Sequence, residues 1–226
     1  MSHEADRTQE MGDELPKLQI TVLTVTAFQQ NCSVLWSPAT LKGVVVDPGG
    51  DVDMICQALD EMGVQIERIL ITHGHADHVG GATELAKKLA VPIEGPHLDD
   101  KFLLESVVEQ AERFGLPGTE NVVTDRWLSE GDVVLAAGLE FNVLHCPGHT
   151  PGHVVFYQSD MKVAISGDVL FQGSIGRTDL PGGNHGHLIA SIKEKLLPLG
   201  DDVAFLPGHG EASTFGEERL HNPFLK

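Results

Sequence analysis

The stretch THGHADH, residues 72–78, places four ionisable side chains in one tight loop. They are His73, His75, Asp77 and His78, and only glycine and alanine lie between them. Crowding imidazole and carboxylate groups in this way costs several kcal/mol of desolvation and repulsion unless a cation compensates. These groups are ligands that suit zinc, iron or manganese. We therefore expect the chain to fold so that this loop and further ligands from other segments surround a metal ion.

Three further polar clusters each follow a short apolar run that predicts a β-strand. The clusters are HCPGHTPGH after FNVL, SGD after VAI and PGHG after AFL, and RILI precedes the first histidine loop in the same way. Loops at one edge of a sheet can converge on one point, which is where open-sheet folds bind ligands. We therefore expect His149, Asp168 and His209 to complete the site.

Seven ligands are too many for one zinc ion, which three or four such groups satisfy. We therefore predict two metal ions. The natural division gives three residues to each ion and lets one aspartate bridge both. The first ion takes His73, His75 and His149, the second takes Asp77, His78 and His209, and Asp168 bridges them.

Two ions about 3.5–4 Å apart can share a hydroxide, whose pKa one zinc alone lowers toward about 7. That metal-bridging hydroxide is the predicted nucleophile. One ion would polarise the substrate carbonyl and stabilise the oxyanion, and the other would meet the leaving group. Asp77 is the predicted catalytic residue, because its carboxylate can also orient the hydroxide.

Other side chains beside these clusters have both a structural and a functional interpretation. His145 and His153 flank His149, and their positions at strand edges favour packing or support of a ligand over direct coordination. Asp47 ends the run GVVVD and either bonds a ligand histidine or forms a turn. Cys146 is more typical of a small buried side chain than of a ligand.

The apolar pattern predicts an α/β fold, because short β-branched runs alternate with segments whose apolar residues recur at helical spacing. We predict strands at LQITVLTVT, CSVLW, GVVVD, RILIT, VPIE, on both sides of Ala137 and Gly138, and at HVVFYQS, KVAISGD and VAFLP. Helices are predicted over residues 51–62, 79–89, 98–114 and 187–196. Two β-rich halves that each carry helices give a four-layer αββα sandwich. Residues 18–226 form this single domain, and the acid-rich residues 1–17 form a mobile tail.

The formal net charge of −18 argues against nucleic acid or an anionic membrane as a partner, since both would be repelled. A small-molecule partner fits better. The three cysteines form no CxxC pair and suggest neither a disulfide framework nor a thiolate zinc site. No apolar run approaches the roughly 20 residues of a membrane helix, and the N-terminus lacks the pattern of a secretory signal. We expect a cytoplasmic protein.

The ligand motifs resemble those of the metallo-β-lactamase superfamily, whose HxHxDH motif and later His, Asp and His are matched at all seven positions. Within that superfamily the chain is similar to the short bacterial glyoxalase II type of hydroxyacylglutathione hydrolase, from about Leu18 to Lys226. GDVLFQGSIGRTDLPGG and LPGHGEASTFGEERLHNPFL carry this closer resemblance. It implies an αββα fold with two divalent metal ions, most often zinc. It also implies hydrolysis of S-lactoylglutathione to D-lactate and glutathione.

Longer members of that family carry a C-terminal helical extension that helps to hold glutathione, and this chain stops soon after the last ligand. They also place a lysine and a tyrosine in the loop after the bridging aspartate, where this chain has Arg177 and Asp179. Arg177 could bind a glutathione carboxylate. The alternative is a salt bridge from Arg177 to Asp179 or Asp168 that stabilises the loop.

Two other functions fit the same motifs. A persulfide dioxygenase would hold one iron with His73, His149 and Asp168, the two-His, one-carboxylate set of oxygen-using iron enzymes. A non-catalytic metal or redox module would use the ligands without turnover. The complete ligand set, with glycines that leave access around it, favours the hydrolase.

Overall fold

The computed structural model describes residues 18–116 and 118–226. The predicted tail, residues 1–17, lies outside the described residues. The strands are β1 Gln19–Val25, β2 Gln30–Trp36, β3 Lys42–Val46, β4 Gln65–Leu70, β5 Ile93–Glu94, β6 Val133–Ala136, β7 Leu139–His145, β8 Val154–Gln158, β9 Val163–Gly167, β10 Leu170–Phe171, β11 Ser174–Ile175, β12 Ala204–Pro207 and β13 Ser213–Thr214. The α-helices are α1 Val52–Met62, α2 Ala76–Val79, α3 Ala82–Leu89, α4 Lys101–Leu104, α5 Val107–Phe114, α6 His185–Ala190 and α7 Phe215–His221.

The strands of the described residues form two main sheets and one short hairpin. The first sheet has the order β1-β2-β3-β4-β5, and its last three strands run parallel. The second sheet has the order β13-β12-β9-β8-β7-β6, and β9 pairs with β12 in parallel. The hairpin joins β10 to β11. Parallel neighbours place the carboxyl ends of their strands at one edge, which is where the metal-ligand loops leave the sheets.

Alternating side chains divide each sheet between two apolar layers. In β3, Val44 and Val46 face the second sheet, whereas Val45 faces the helices of the first half. In β8, Phe156 faces the first sheet and Val155 faces the C-terminal helices. This alternation produces one core between the sheets and one core beneath each helical layer. The predicted α/β class and αββα layering are therefore confirmed.

Two helix predictions differ from the structure in their boundaries. The predicted helix over 79–89 is α3, and one further turn, α2, begins earlier at Ala76. The predicted helix over 187–196 begins earlier, at His185, after Asn184 caps it by accepting the N–H of His187. Its second half is a π-helix over Ser191–Leu196.

The predicted single helix over residues 98–114 is wrong. The structure has a 3₁₀ turn at Leu98–Asp100, then α4, then α5. The break between α4 and α5 lies at Ser106, whose hydroxyl donates to the carbonyl of Phe102 at 2.8 Å and so competes with the regular backbone bond. Helix α5 ends at Gly115, which has φ 72°, as the glycine predicts.

Helix α7 was not predicted, although the sequence carries a signal for it. Thr214 caps the helix by accepting the N–H of Glu217 at 3.2 Å. Threonine followed three residues later by glutamate is a recognised start of a helix. Among the described residues, the structure contains no helix that is both long and apolar enough to cross a membrane.

Candidate metal centre

The first histidine loop is fixed by Asp47, at the end of β3. The Asp47 carboxylate accepts the N–H of Thr72 at 2.7 Å and its hydroxyl at 2.6 Å, beside the end of the parallel neighbour β4. His73 and His75 follow, and α2 then carries Asp77 and His78. The ring centroids of His73 and His78 lie 4.1 Å apart, and Asp77 Oδ2 lies 3.8 Å from His78 Nε2.

The other three candidate ligands follow strands of the second sheet. His149 lies after β7, Asp168 after β9 and His209 after β12. The loop that holds His209 is attached to the first sheet, because the Asn31 N–H donates to the carbonyl of Gly208 at 2.8 Å. A side chain at position 208 would lie 2.2 Å from the Asp168 carboxylate, so only glycine fits there.

The structure brings the seven candidate ligands together as two groups of three, with Asp168 between the groups. The ligand atoms within each group lie within 4.8 Å of one another, and most of these residues are buried. One group is His73, His75 and His149, and the other is Asp77, His78 and His209. Within the second group, His209 Nε2 lies 3.2 Å from Asp77 Oδ2. Two donors on one tetrahedral zinc ion would lie about 3.4 Å apart, given bonds of about 2.1 Å.

Asp168 lies between the two groups. Its Oδ2 is 3.6 Å from His149 Nε2 in the first group and 3.7 Å from His209 Nε2 in the second. Its Oδ1 is 3.3 Å from His78 Nε2. One carboxylate that reaches both groups has the position that a bridging ligand requires.

Four of the five candidate ligand histidines bond their Nδ1 to a group outside the candidate ligands and thereby direct Nε2 inward. The partners are Asp47 for His78 at 2.9 Å, Thr72 Oγ1 for His73 at 3.0 Å, the carbonyl of Arg177 for His149 at 2.8 Å and the carbonyl of Phe28 for His209 at 3.1 Å. Partners of this kind fix the tautomer and the ring orientation of histidines that bind metal. Asp47, whose φ is 53°, thus supports a candidate ligand, as the first of its two interpretations expects.

Several inward-facing atoms have no hydrogen-bond partner in the described part of the chain. They include His73 Nε2, His78 Nε2 and Asp168 Oδ1, all of them buried. Leaving a buried polar atom unpaired costs about 1–3 kcal/mol, so such atoms need an explanation. These three point into the space between the two groups. The residues present therefore fit metal ions, and the His and Asp clusters are suited to binding them.

The electrostatics of the centre agree with that fit. Burial, together with the neighbouring imidazoles, lowers the pKa of His73 well below its usual value and that of His75 to about 3. Burial alone would raise the pKa of Asp168, but His78 and the other imidazoles hold it below its usual value. His73 and His75 are thus held neutral and Asp168 ionised, which are the states in which these groups bind metal. Against the effect of burial, the neighbouring carboxylates instead raise the pKa of His78 well above its usual value, so metal binding there would release a proton.

His153 and Asp100 support the centre without belonging to either group. His153 Nε2 accepts the N–H of Asp168 at 3.0 Å, and its ring stacks on that of His73 at 4.7 Å. This arrangement agrees with the supporting interpretation of His153. Asp100 was missed, since its segment was predicted as plain helix. Its buried carboxylate accepts the N–H of Gly74 at 2.9 Å and the hydroxyl of Thr150 at 2.7 Å, and so joins two ligand loops.

A cavity of about 640 Å³ opens onto the centre. Five of the candidate ligands form its floor, and helices α4 and α5 with the loop after β11 form its walls. The floor residues are His75, Asp77, His149, Asp168 and His209. Most of the wall is apolar, and it includes Phe28, Phe102, Phe114, Phe171 and Leu180.

Arg177 lines this cavity, but its guanidinium is bonded to Asp179. Its Nε and Nη2 each donate to the Asp179 carboxylate at 2.8 Å. This is the salt bridge that the sequence left open as an alternative. The side chain is 58% exposed, so water screens the pair and its contribution to stability is small. Binding of substrate by Arg177 stays a prediction.

A four-layer α/β fold that gathers histidines and aspartates at one edge of two packed sheets, beneath an open cavity, defines the class of metal-binding hydrolases. Residues 25–209 match the family model of the metallo-beta-lactamase superfamily. The chain belongs to the metallo-beta-lactamase superfamily, and the predicted membership and enzyme class are confirmed.

Individual relatives agree with this assignment over nearly the whole chain. Hydroxyacylglutathione hydrolase GloC of Haemophilus influenzae is 48% identical over 209 residues, which cover 92% of this chain and 98% of that protein. The crystal structure of BLEG-1 B3 metallo-beta-lactamase is 36% identical with a TM-score of 0.85, and covers 92% of this chain and 100% of its own. TTHA1623, solved in a di-iron-bound form, is 37% identical with a TM-score of 0.82, at 91% and 100% coverage.

Proposed function

We propose that the protein is a metal-dependent thioester hydrolase of the glyoxalase II type that converts S-lactoylglutathione to D-lactate and glutathione. The observation that carries the proposal is the cavity, whose floor is formed by five candidate metal ligands and whose walls leave room for a substrate. The 48% identity to a hydroxyacylglutathione hydrolase supports the choice of a glutathione thioester.

The proposed ligands are the six residues of the two groups and the Asp168 carboxylate between them. His73, His75 and His149 would hold one ion, Asp77, His78 and His209 the other, and Asp168 both. When bound, two divalent ions acidify a water molecule and polarise a carbonyl group. We expect zinc, with iron and manganese as alternatives. The di-iron form of TTHA1623 supports a site for two ions and keeps iron among the candidates.

Asp77 is the proposed catalytic residue among the protein side chains. Its carboxylate lies at the cavity surface with a side-chain exposure of 22%, and His209 Nε2 lies 3.2 Å from its Oδ2. From this position Asp77 can orient the attacking water and accept its proton. The water oxygen adds to the thioester carbonyl carbon, the C–S bond breaks, and the thiolate leaves and takes up the proton that the water released. The products are the free acid and glutathione.

The proposal includes a cytoplasmic location and a small-molecule partner. Glutathione thioesters are charged, water-soluble molecules, and the net charge of −18 opposes binding to nucleic acid or to an anionic membrane surface. The three cysteines of the chain are all free, and two of them, Cys32 and Cys146, are buried. Burial raises the pKa of Cys146 to about 12, so this thiol is not a reactive group beside the site.

The test is to measure metals and turnover in one preparation. The purified protein is expected to hold about two metal ions per chain and to consume S-lactoylglutathione with release of free thiol. His75→Ala should abolish most of this turnover, whereas His221→Ala, at an exposed position near the C-terminus, should not. Intact turnover in His75→Ala would overturn the two-metal proposal.

Two further assays separate the alternatives on the same fold. Oxygen uptake with glutathione persulfide, one iron per chain and no thioester hydrolysis would assign a persulfide dioxygenase instead. Hydrolysis of a chromogenic cephalosporin faster than of the thioester would assign a β-lactamase, as the structural relative BLEG-1 is named. Metal binding with no turnover of any of these compounds would assign a non-catalytic metal module.

A further inference from the structure

Helix α5 presents one charged stripe to the cavity. Ser106, Glu109, Gln110, Arg113 and Phe114 all line it, and their spacing of three and four residues puts them on one face of the helix. The stripe combines an acid, a base and an amide with an aromatic ring. Neither Glu109 nor Arg113 has been given a role in the metal centre or in the packing of the core.

The stripe is connected to the metal centre through Gln110. Its Oε1 accepts the N–H of Ala76 at 3.2 Å, directly after the candidate ligand His75, and its Nε2 donates to the carbonyl of Leu103 at 2.9 Å. Gln110 therefore sets the position of α5 relative to the centre. Arg113 lies three residues further along the helix, or about 4.5 Å along its axis, and extends from the same face.

The two charges of the stripe are available for a ligand. Among the arginines in the part of the chain that the structure describes, Arg68, Arg126, Arg177 and Arg219 each have a carboxylate within 4.0 Å, whereas Arg113 has none. Glu109 also has no cation within that distance in the described part. Residues four apart on a helix are neighbours, so these two side chains can close around one small group.

We propose that Glu109 and Arg113 bind the α-amino acid head group at the γ-glutamyl end of the glutathione thioester. This inference rests on the proposed function. The head group carries an ammonium and a carboxylate on one carbon atom. Glu109 accepts from the ammonium, and Arg113 donates two parallel hydrogen bonds to the carboxylate. Arg177, already bonded to Asp179, is not needed for this contact.

This assignment places both ends of the substrate in one cavity. The stripe is part of the cavity wall, so the same helix that contacts the metal loop also contacts the far end of the substrate. The apolar residues opposite it, such as Phe171 and Leu180, contact the uncharged part of the ligand.

The test measures binding of S-methylglutathione, which has no thioester to hydrolyse, to the metal-loaded protein by calorimetry. Arg113→Gln and Glu109→Gln are each expected to weaken binding about tenfold to a hundredfold, because each removes a charged partner. Glu112→Gln is the matched control, since it lies on the same helix but does not line the cavity. Metal content and thermal midpoint should stay unchanged in all three variants.

Two analogues make the test specific. A ligand without the α-carboxylate should bind wild type and Arg113→Gln equally, and a ligand without the α-amino group should bind wild type and Glu109→Gln equally. The inference is overturned if either variant weakens the binding of S-methylglutathione and of both analogues equally, or if neither variant weakens binding. Failure of the wild type to hydrolyse S-lactoylglutathione overturns the proposed function instead, and the binding measurements with S-methylglutathione still decide the role of the stripe.

Discussion

The floor and the wall of the cavity are built in opposite ways. The floor histidines His75 and His149 are 8% and 3% exposed, and neighbouring side chains and backbone groups hold the rings of the candidate ligands. On the wall, Phe102 and Phe114 are 43% and 49% exposed and belong to short helices joined by a break. Preorganised groups on the floor suit the chemical step, whereas a less constrained wall suits recognition that differs between relatives.

The largest expected effect comes from breaking the floor at its shared ligand. Asp168→Asn keeps the shape of the side chain but removes the charge that both groups face. We expect metal content to fall below two ions per chain and kcat/KM for the thioester to fall on the order of 10³-fold. Metal analysis and steady-state assays measure both.

The control is Asp160→Asn, in the exposed turn between β8 and β9 at the opposite end of the strands. Asp160→Asn should change neither the metal content nor kcat/KM. Wild-type metal content and activity in Asp168→Asn would remove Asp168 from the centre.

Removing the metals should destabilise the floor and leave the wall unaffected. A chelator leaves the crowded donors, including buried His73 Nε2 and Asp168 Oδ1, without a cation. Ligands present at about 100 times their dissociation constant stabilise a folded protein by about 2.7 kcal/mol, which corresponds to roughly 5–10 °C in thermal midpoint for a chain of this size. Thermal unfolding with and without chelator measures the shift. Restoration by added zinc is the control, and an unchanged midpoint would contradict a metal-filled floor.

A residue that supports a ligand should have a smaller effect than a ligand. Asp47→Ala removes the acceptor for His78 Nδ1 and for Thr72. Loss of such a partner costs about 10–100-fold in metal affinity. Competition with a chromogenic chelator measures that affinity. Asp51→Asn is the matched control and should bind metal normally, because among the described residues the Asp51 carboxylate accepts only the exposed N–H of Thr26. If Asp47→Ala binds metal as tightly as wild type or more tightly, the orientation of the His78 ring does not depend on Asp47.

Asp100 joins the floor to the wall, and we expect its titration to make the free energy of unfolding depend on pH. Burial raises its pKa to about 6, against the hydrogen bonds from Thr150, Gly74 and Gly152 that lower it. Between about pH 4 and pH 6 the folded state therefore keeps a proton on Asp100 that the unfolded state, in which the pKa is about 3.9, has lost. Stability from this group is complete below about pH 4 and is lost as pH rises through 6.

Asp100→Asn cannot titrate, so the difference between the two proteins isolates this contribution. Relative to the variant, wild type should lose about 2 kcal/mol between pH 4 and 7, as measured by urea unfolding of the metal-free proteins. The titrations of the histidines are common to both proteins and cancel. A difference that does not change with pH would show that Asp100 keeps its ordinary pKa in the folded protein.

The floor could be predicted from the sequence because its chemistry is local. Four candidate ligands lie within seven consecutive residues, and the strands before His149, Asp168 and His209 are visible in the apolar pattern. The wall could not be predicted in the same way. The segment over 98–114 has helical spacing throughout, and a serine inside such a pattern does not by itself predict the break at Ser106. The role of Asp100 depends on bonds to residues 50 or more positions away. The pairing of Arg177 with Asp179 rather than with a ligand was equally undetermined by sequence.

The smallest expected effect tests whether the wall contributes to binding alone. Phe102→Ala and Phe114→Ala each remove a half-exposed ring from the cavity and should cost about 1 kcal/mol of binding at most, since half of each ring is already in water. That free energy corresponds to a rise in KM of about fivefold with kcat unchanged, the behaviour of a contact that substrate and transition state share. Val123→Ala, 84% exposed and away from the cavity lining, is the control for loss of an apolar surface group. A fall in kcat at constant KM would mean that the wall positions the reacting thioester, and the separation between floor and wall would then fail.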